Sequence, residues 1–510
     1  MKQNELPRLI KLEERVKELA DEAGLSLVPI EFDIVPENKM LEIMAYGMPG
    51  QISNWKFGRD YERLRTIFDH TEGSLPLEVV NTTNPARAYL MKNNSFTIQA
   101  LVMTHVYGHV AFSTMNQYHA ELDKDLVSKM IAASKRFNDY ERKYGIDIVE
   151  QTVDAGHSIY YHSSPFESEE TEEEKRERIF EQTKQKAHIR KATEYDDLMT
   201  VETEMQKQAS IERDLFNHKL WMTLKNRIPV EPTEDMLRFI IDNSRVLSEW
   251  QKDILELLRK QGRYIHPHIK TKYMNEGFAT WWHETTMRKL FQEELLTSEE
   301  HAEFNYMNAF VKAKNKFSMN PYLIGCTMWY DLIDRYDKGQ FGDEYEEEPD
   351  MEVKKNWDTG AMLGHEKMLE TLRTHNDWSF MMNVLTTDLV RELEMYIYVL
   401  KKDYHSAKIV ITDKQAEEIR ELIVKSFAHS GIPRILVNEG KRELHLEHRH
   451  AGMDLDAEYT QKTLDHIAYL WGDDVDLSTK VGKEKANKVY KAINPYLNRE
   501  VATAFHGDPT

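Results

Sequence analysis

The run Ala100-Leu-Val-Met-Thr-His-Val-Tyr-Gly-His109 constrains the fold more than any other stretch, because it sets two histidines four residues apart inside an otherwise apolar segment. Ile98, Leu101, Val102, His105, His109 and Phe112 recur at helical spacing behind Ser95, a good N-cap, so the run predicts a helix with both imidazoles on its buried face. A buried imidazole must be hydrogen-bonded or ligated, and two of them one turn apart double the desolvation to be offset. One metal ion bound by both neutral rings would meet that need, as in the His-x-x-x-His helix of zincins. A zincin protease carries its glutamate base directly after the first histidine, where this chain has Val106. Gly108, next to His109, lets another backbone or a ligand come close.

Composition narrows the classes of partner. With 510 residues and a formal net charge of −20, the chain is long enough for about three domains and too acidic for a nucleic-acid groove to be its main surface. The single cysteine, Cys326, excludes an intrachain disulfide and a cysteine zinc ribbon; after Gly325 in an apolar run it reads as a buried structural thiol. The opening segment is charged throughout, and no uninterrupted apolar run reaches the ~18 residues of a membrane helix. The expectation is a soluble cytoplasmic protein with no membrane span and no nucleic-acid partner.

Along the chain, residues 4–23 read as an amphipathic helix, and Leu27–Val35, Leu77–Val80 and Ala86–Leu90 as strands. A turn at Ala45–Gly50 and a helix from Trp55 to Phe68 lie between them. Helices over about 119–143 and 146–162 follow the histidine run. Eight glutamates between residues 167 and 181 mark a charged linker, either a solvated helix or a flexible tether. Apolar periodicity over 233–260 predicts one long helix or a pair, and further helices are expected from Asn275, over 299–316, from Asn320 and through Trp357–Leu385, with an acidic loop at 339–350. Beyond about residue 394 a βαββα pattern suggests a small α/β domain. The expected domains are 1–163, 164–230, 231–393 and 394–510. The fold class is mainly α (α+β), with a zincin-like helical core, short N-terminal strands and a small C-terminal α/β domain.

Glu276, in Asn275-Glu-Gly277, is the natural third ligand, since a zincin of the glutamate type takes its last ligand from a later helix. The plain alternative is a carboxylate placed for the helix dipole. His283, seven residues on and sharing that face, could be a fourth ligand, a proton shuttle or a group that orients a ligand. Glu150, Asp154 and His157 share a face of the 146–162 helix; they are either solvated or contribute carboxylates and a second-metal ligand. With no glutamate at position 106, proton transfer would fall to His283, Tyr107, Glu150 or Asp154. Asn84, Arg87 and Tyr89 could line a substrate cleft. His445, His448 and His450 read as a surface cluster. No phosphate loop, dinucleotide fingerprint or serine-nucleophile elbow is present.

Several motifs occur in order along nearly the whole chain: Ala45-Tyr-Gly-Met-Pro49 with Trp55-x-Phe-Gly58, Asn84-Pro85 with Ala88-Tyr-Leu90, His105-Val106 to His109, Met274-Asn-Glu-Gly277 with Trp282-His283, and Asn320-Pro-Tyr322 with Gly325. In these the chain resembles the stage V sporulation protein R (SpoVR) family. The resemblance implies a role in spore cortex formation or stress physiology, and partnership with a PrkA-type serine protein kinase and a small companion protein.

Two functions are therefore expected. In the first, His105, His109 and Glu276 bind Zn²⁺ or another divalent metal that assists amide hydrolysis, as in a metallohydrolase without the usual glutamate base. In the second, the protein is a non-catalytic regulator or scaffold acting with the kinase.

Overall fold

The structure is a computed structural model and describes residues 5–46, 79–120, 122–123, 125–163, 170–185, 204–315, 318–403, 406–411, 415–428, 431–482 and 486–493. Residues 47–78, which carry most of the expected Ala45–Gly50 turn and all of the Trp55–Phe68 helix, lie outside them. In chain order the elements are α1 (Leu6–Glu22), β1 (Ile30–Val35), α2 (Glu37–Tyr46), β2 (Val79–Asn81), β3 (Ala86–Met91), α3 (Phe96–Met115), α4 (Leu126–Tyr144), α5 (Ile146–Ile159), α6 (Glu172–Thr183), α7 (Glu204–Lys225), α8 (Met236–Asn243) and α9 (Glu249–Lys270). Then come α10 (Lys272–Gln292), α11 (Ser298–Val311), α12 (Pro321–Asp337), α13 (Asp343–Glu346), α14 (Met351–Lys355), α15 (Gly364–Thr374), α16 (Asp377–Val384) and α17 (Thr387–Glu392). The remainder is β4 (Tyr398–Asp403), β5 (Ser406–Ile411), α18 (Ala416–Phe427), β6 (Ile435–Gly440), β7 (Leu444–His448), α19 (Ala457–Trp471), β8 (Val475–Val481) and β9 (Ala486–Ala492). The protein is mainly helical, with short strands in small sheets near each end.

The chain forms two compact units, one of residues 1–150, 263–432 and 451–453, the other of 151–262, 433–450 and 454–510. The first is built around α3. Every residue from Phe96 to Phe112 is buried, so this helix is covered on all sides, unlike the one-faced helices at the surface. Ser95 caps it, its hydroxyl accepting from the Ile98 N–H at 3.3 Å. On one side of α3 lies a three-stranded sheet of order β1-β3-β2, with β1 parallel and β2 antiparallel to β3. Ala86, Ala88 and Leu90 of β3 face the core that contains α3, whereas Met91, with Tyr89 packed against it, faces Met40 and Leu41 of α2.

Helix α10 crosses α3 and α12 where side chains are smallest. A Cβ on Gly108 would lie 2.6 Å from Ala279 Cα, and one on Gly277 would lie 2.3 Å from the Gly325 carbonyl carbon, so the backbones are in direct contact. The sequence expects α10 to open at Asn275; it opens at Lys272 instead, because Asp377 accepts from the Tyr273 and Met274 N–H groups at 2.9 Å each. Helix α9 also continues past Pro267 to Lys270, and the Thr271 hydroxyl donates to the Pro267 carbonyl at 2.8 Å. Ile419 and Phe427 of α18 join this same core.

The second unit carries a four-stranded sheet of order β6-β7-β8-β9, in which only the β7–β8 pair is parallel. Strand β8 was not expected, although Val475, Leu477 and Thr479 alternate inward along it. The 233–260 stretch is a helix pair, α8 and α9, and the stretch read as an acidic loop contains the single turn α13. Phe239 of α8 stacks on Trp471 of α19, with ring centroids 5.7 Å apart. Arg259 of α9 binds the Asp235 carboxylate at 2.7 Å, both side chains being almost fully buried.

Candidate metal centre

The α3–α10 crossing decides what stands beside the two histidines. With Gly108 against Ala279, the first turns of α10 lie over the His105–His109 face of α3, and Glu276 enters between the rings. Its Oε2 is 3.7 Å from His105 Nε2 and 3.4 Å from His109 Nε2. Donor atoms about 2.0–2.2 Å from one ion at tetrahedral angles stand roughly 3.3–3.6 Å apart; the His109 separation falls within that range and the His105 separation lies just above it, close to what a shared divalent cation requires. The two histidines are buried and the glutamate is partly buried.

Each imidazole is held from its other side. His109 Nδ1 lies 2.8 Å from Asn275 Oδ1, and with that amide oxygen accepting, the ring proton sits on Nδ1 and the Nε2 lone pair faces Glu276. His105 Nδ1 lies 2.7 Å from His283 Nδ1. His283 Nε2 in turn lies 2.9 Å from Asn308 Oδ1 on α11, and the Asn308 amide nitrogen donates to Glu284 Oε1 at 2.7 Å. The Lys312 ammonium meets the same Glu284 oxygen, and the Tyr330 hydroxyl donates to the other at 3.0 Å. Burial pushes the Glu284 carboxyl up, but the Lys312 and Asn308 hydrogen bonds and the Lys312 charge outweigh it and hold the group below the usual carboxylate range. Tyr322 of α12 completes the surroundings, its ring 6.0 Å from that of His105.

The SpoVR like protein family model matches residues 3–432, and the SpoVR-like C-terminal domain model matches residues 435–482. The chain belongs to the SpoVR family. YcgB of Escherichia coli (strain K12) is similar to this SpoVR protein, with 28% identity over 489 residues that cover 89% of this chain and 88% of YcgB. No solved structure matches it.

In this SpoVR chain the other residues singled out from the sequence are more scattered. Tyr107 sits two residues from His105, about 200° around the helix, and its hydroxyl reaches Glu13 of α1 at 3.4 Å rather than the histidines. Burial beside Glu13 pushes that phenol well above its ordinary range. Arg87 and Tyr89 lie on the face of β3 turned away from α3; Arg87 is exposed and pairs with Glu31 at 3.2 Å, and Asn84 is an exposed turn residue. Glu150, Asp154 and His157 are half-buried on α5 and belong to no metal-binding cluster among the described residues. Asp154 and His157 fall in the second compact unit. His445 pairs with Asp476 at 2.7 Å on the second unit's sheet, and with Glu443 these form a second, more exposed trio of potential ligands. Burial raises the Cys326 thiol pKa far out of the reactive range.

Sequence reasoning missed Glu284, Asn308 and Lys312. Asn308 and Lys312 are one turn apart at the end of α11, which is a legible spacing, but nothing in the sequence says that this turn faces His283.

Proposed function

We propose that the protein is a divalent-metal protein of zincin type, in which His105, His109 and Glu276 hold Zn²⁺ or another divalent cation, and that it carries out metal-assisted amide hydrolysis. The observation supporting this reading is the convergence of two imidazole Nε2 atoms on one carboxylate oxygen, at 3.7 and 3.4 Å, in a buried site. A bound cation would supply a Lewis acid that polarises a carbonyl and lowers the pKa of a water. The chain's own residues supply rigidity: the backbone contact of α3 with α10 fixes the spacing of the three donors, and Asn275 holds the His109 tautomer. Because Val106 replaces the usual base, the proton must be handled elsewhere. Tyr322, whose ring lies 6.0 Å from that of His105, is the candidate for that role.

Metal content of the purified chain tests the ligand set. About one equivalent of divalent metal is expected for the native sequence and far less for His105→Ala or Glu276→Gln, each folded by circular dichroism. No difference between native and variants overturns the assignment.

A second reading has its own observation. His283 has both ring nitrogens engaged, one by His105 and one by Asn308, so the nearest histidine is not available as a proton shuttle. On this reading the metal centre is structural, and the protein is a regulator acting with a PrkA-type serine kinase in cortex formation or stress physiology. Amide turnover by the metal-loaded native chain, lost in a folded Tyr322→Phe or Glu276→Gln variant, supports the hydrolase. Full metal occupancy with no turnover on peptide or peptidoglycan-derived amides supports the regulator.

A further inference from the structure

We propose that Glu284 is a positioning residue for this centre, which dictates through Asn308 and His283 that His105 presents an unprotonated Nε2 to the metal. The proposal rests on the reading of His105, His109 and Glu276 as ligands, and adds residues that touch no ligand position themselves, His283 excepted.

The direction of the chain follows from what each group can do. An ionised carboxylate only accepts hydrogen bonds. Glu284 is 4% exposed and is kept ionised by the Lys312 ammonium on its Oε1. Asn308 must therefore turn its NH₂ toward Glu284, at 2.7 Å, which leaves its amide oxygen facing His283 Nε2 at 2.9 Å. An amide oxygen cannot donate, so His283 carries its proton on Nε2, and in the neutral ring Nδ1 is then a lone pair. Across the 2.7 Å contact His105 Nδ1 must donate, and the remaining lone pair of His105, on Nε2, points at the Glu276 carboxylate. His109 reaches the same state by a shorter route through Asn275.

A residue at position 284 that accepts no hydrogen bond would remove the constraint. Glu284→Leu keeps the approximate volume and offers neither Asn308 nor Lys312 an acceptor. Asn308 could then flip, and the reversed chain would put a proton on His105 Nε2, on the side where a cation must bind. Partners of metal-bound histidines are typically worth about 10–100-fold in affinity.

The experiment uses the full chain, ¹⁵N-labelled at histidine, together with Zn²⁺ affinity by chelator competition. Expected in the metal-free native chain is a His105 ring with ¹⁵N shifts of the Nδ1-protonated tautomer. Glu284→Leu should shift that ring toward the Nε2-protonated tautomer and weaken Zn²⁺ binding about 10–100-fold, whereas Tyr330→Phe, which removes one donor and keeps the carboxylate, should change neither. Should Glu284→Leu fail to fold, Asn308→Leu interrupts the same chain and leaves the Glu284–Lys312 pair in place, with the same expected result. A native His105 protonated on Nε2, or a folded Glu284→Leu or Asn308→Leu chain with native tautomer and native affinity, overturns the proposal. The tautomer is read without metal, so a native chain that has the expected tautomer but binds no Zn²⁺ defeats the ligand reading and not the relay.

Discussion

His105 and His283 face each other through their Nδ1 atoms at 2.7 Å, although 178 residues separate them in the chain. Two neutral rings in this contact must hold opposite roles, one donating and one accepting, so His283 acts on the site through His105. Replacing His283 by Phe keeps much of the packed volume and removes the acceptor. Zinc affinity should fall about 10–100-fold by chelator competition, while His109 keeps its Asn275 partner.

Chelation should expose the coupling of metal to stability. A ligand present at 100 times its Kd stabilises the native state by about 2.7 kcal/mol, so excess chelator should lower the thermal midpoint of the native chain. His105→Ala should melt at the same temperature with and without chelator.

Gly277 tests the crossing that places Glu276. A methyl group there would lie 2.3 Å from the Gly325 carbonyl carbon and 2.4 Å from its Cα, and neither backbone atom can yield as a side chain does. Gly277→Ala should cost about 1–3 kcal/mol or more in urea unfolding and weaken metal binding at the same time. An unchanged stability would mean that the helices part without penalty.

In the second unit the Arg259–Asp235 pair predicts asymmetry. Arg259→Met leaves a buried carboxylate without its partner and should cost about 3–5 kcal/mol by denaturant unfolding. Changing both, with Asp235→Leu, should recover most of the loss. The remainder is the cap that Asp235 provides to α8, where its Oδ1 accepts from the Arg238 N–H at 3.1 Å.

Stability should also fall in acid. Burial, with His448 nearby, lowers the His162 pKa to about 4, and burial beside His268 lowers that of His119 well below 6.5. Unfolded histidines titrate near 6.5, so the unfolded chain binds more protons than the folded one below that pH. The contribution of these histidines to stability is then fully present above about pH 6.5 and is lost as pH falls toward 4. Urea midpoints at pH 7 and pH 5 should differ for the native chain, and His162→Gln should reduce the difference.

Much of this was legible in the residues. The apolar run with Ser95 ahead of it, the Asn320-Pro321 opening of α12 and the strand alternation at Ala86–Leu90 are local signals, and each element formed where its own side chains favour it. Within the charged stretch, the helix α6 opens at Glu172 through a Thr171–Glu174 capping box, which is equally local. Elements governed by distant partners were misplaced. α10 begins three residues early because Asp377, 104 residues beyond Tyr273, satisfies its first N–H groups.

The same division holds for the site. By itself the sequence determined that two imidazoles share one buried helical face, since i and i+4 always do, and that Glu276 and His283 share another. Only the tertiary structure decided which third residue meets the first pair, and which side chains turn aside. Tyr107 and Tyr89 are the candidates nearest to the histidines in sequence, yet rotation by two residues along a helix, or one along a strand, turns a side chain to the opposite side. Glu276 arrives from far along the chain because glycines at positions 108, 277 and 325 let three helix backbones touch, a matter of close packing that no local pattern encodes.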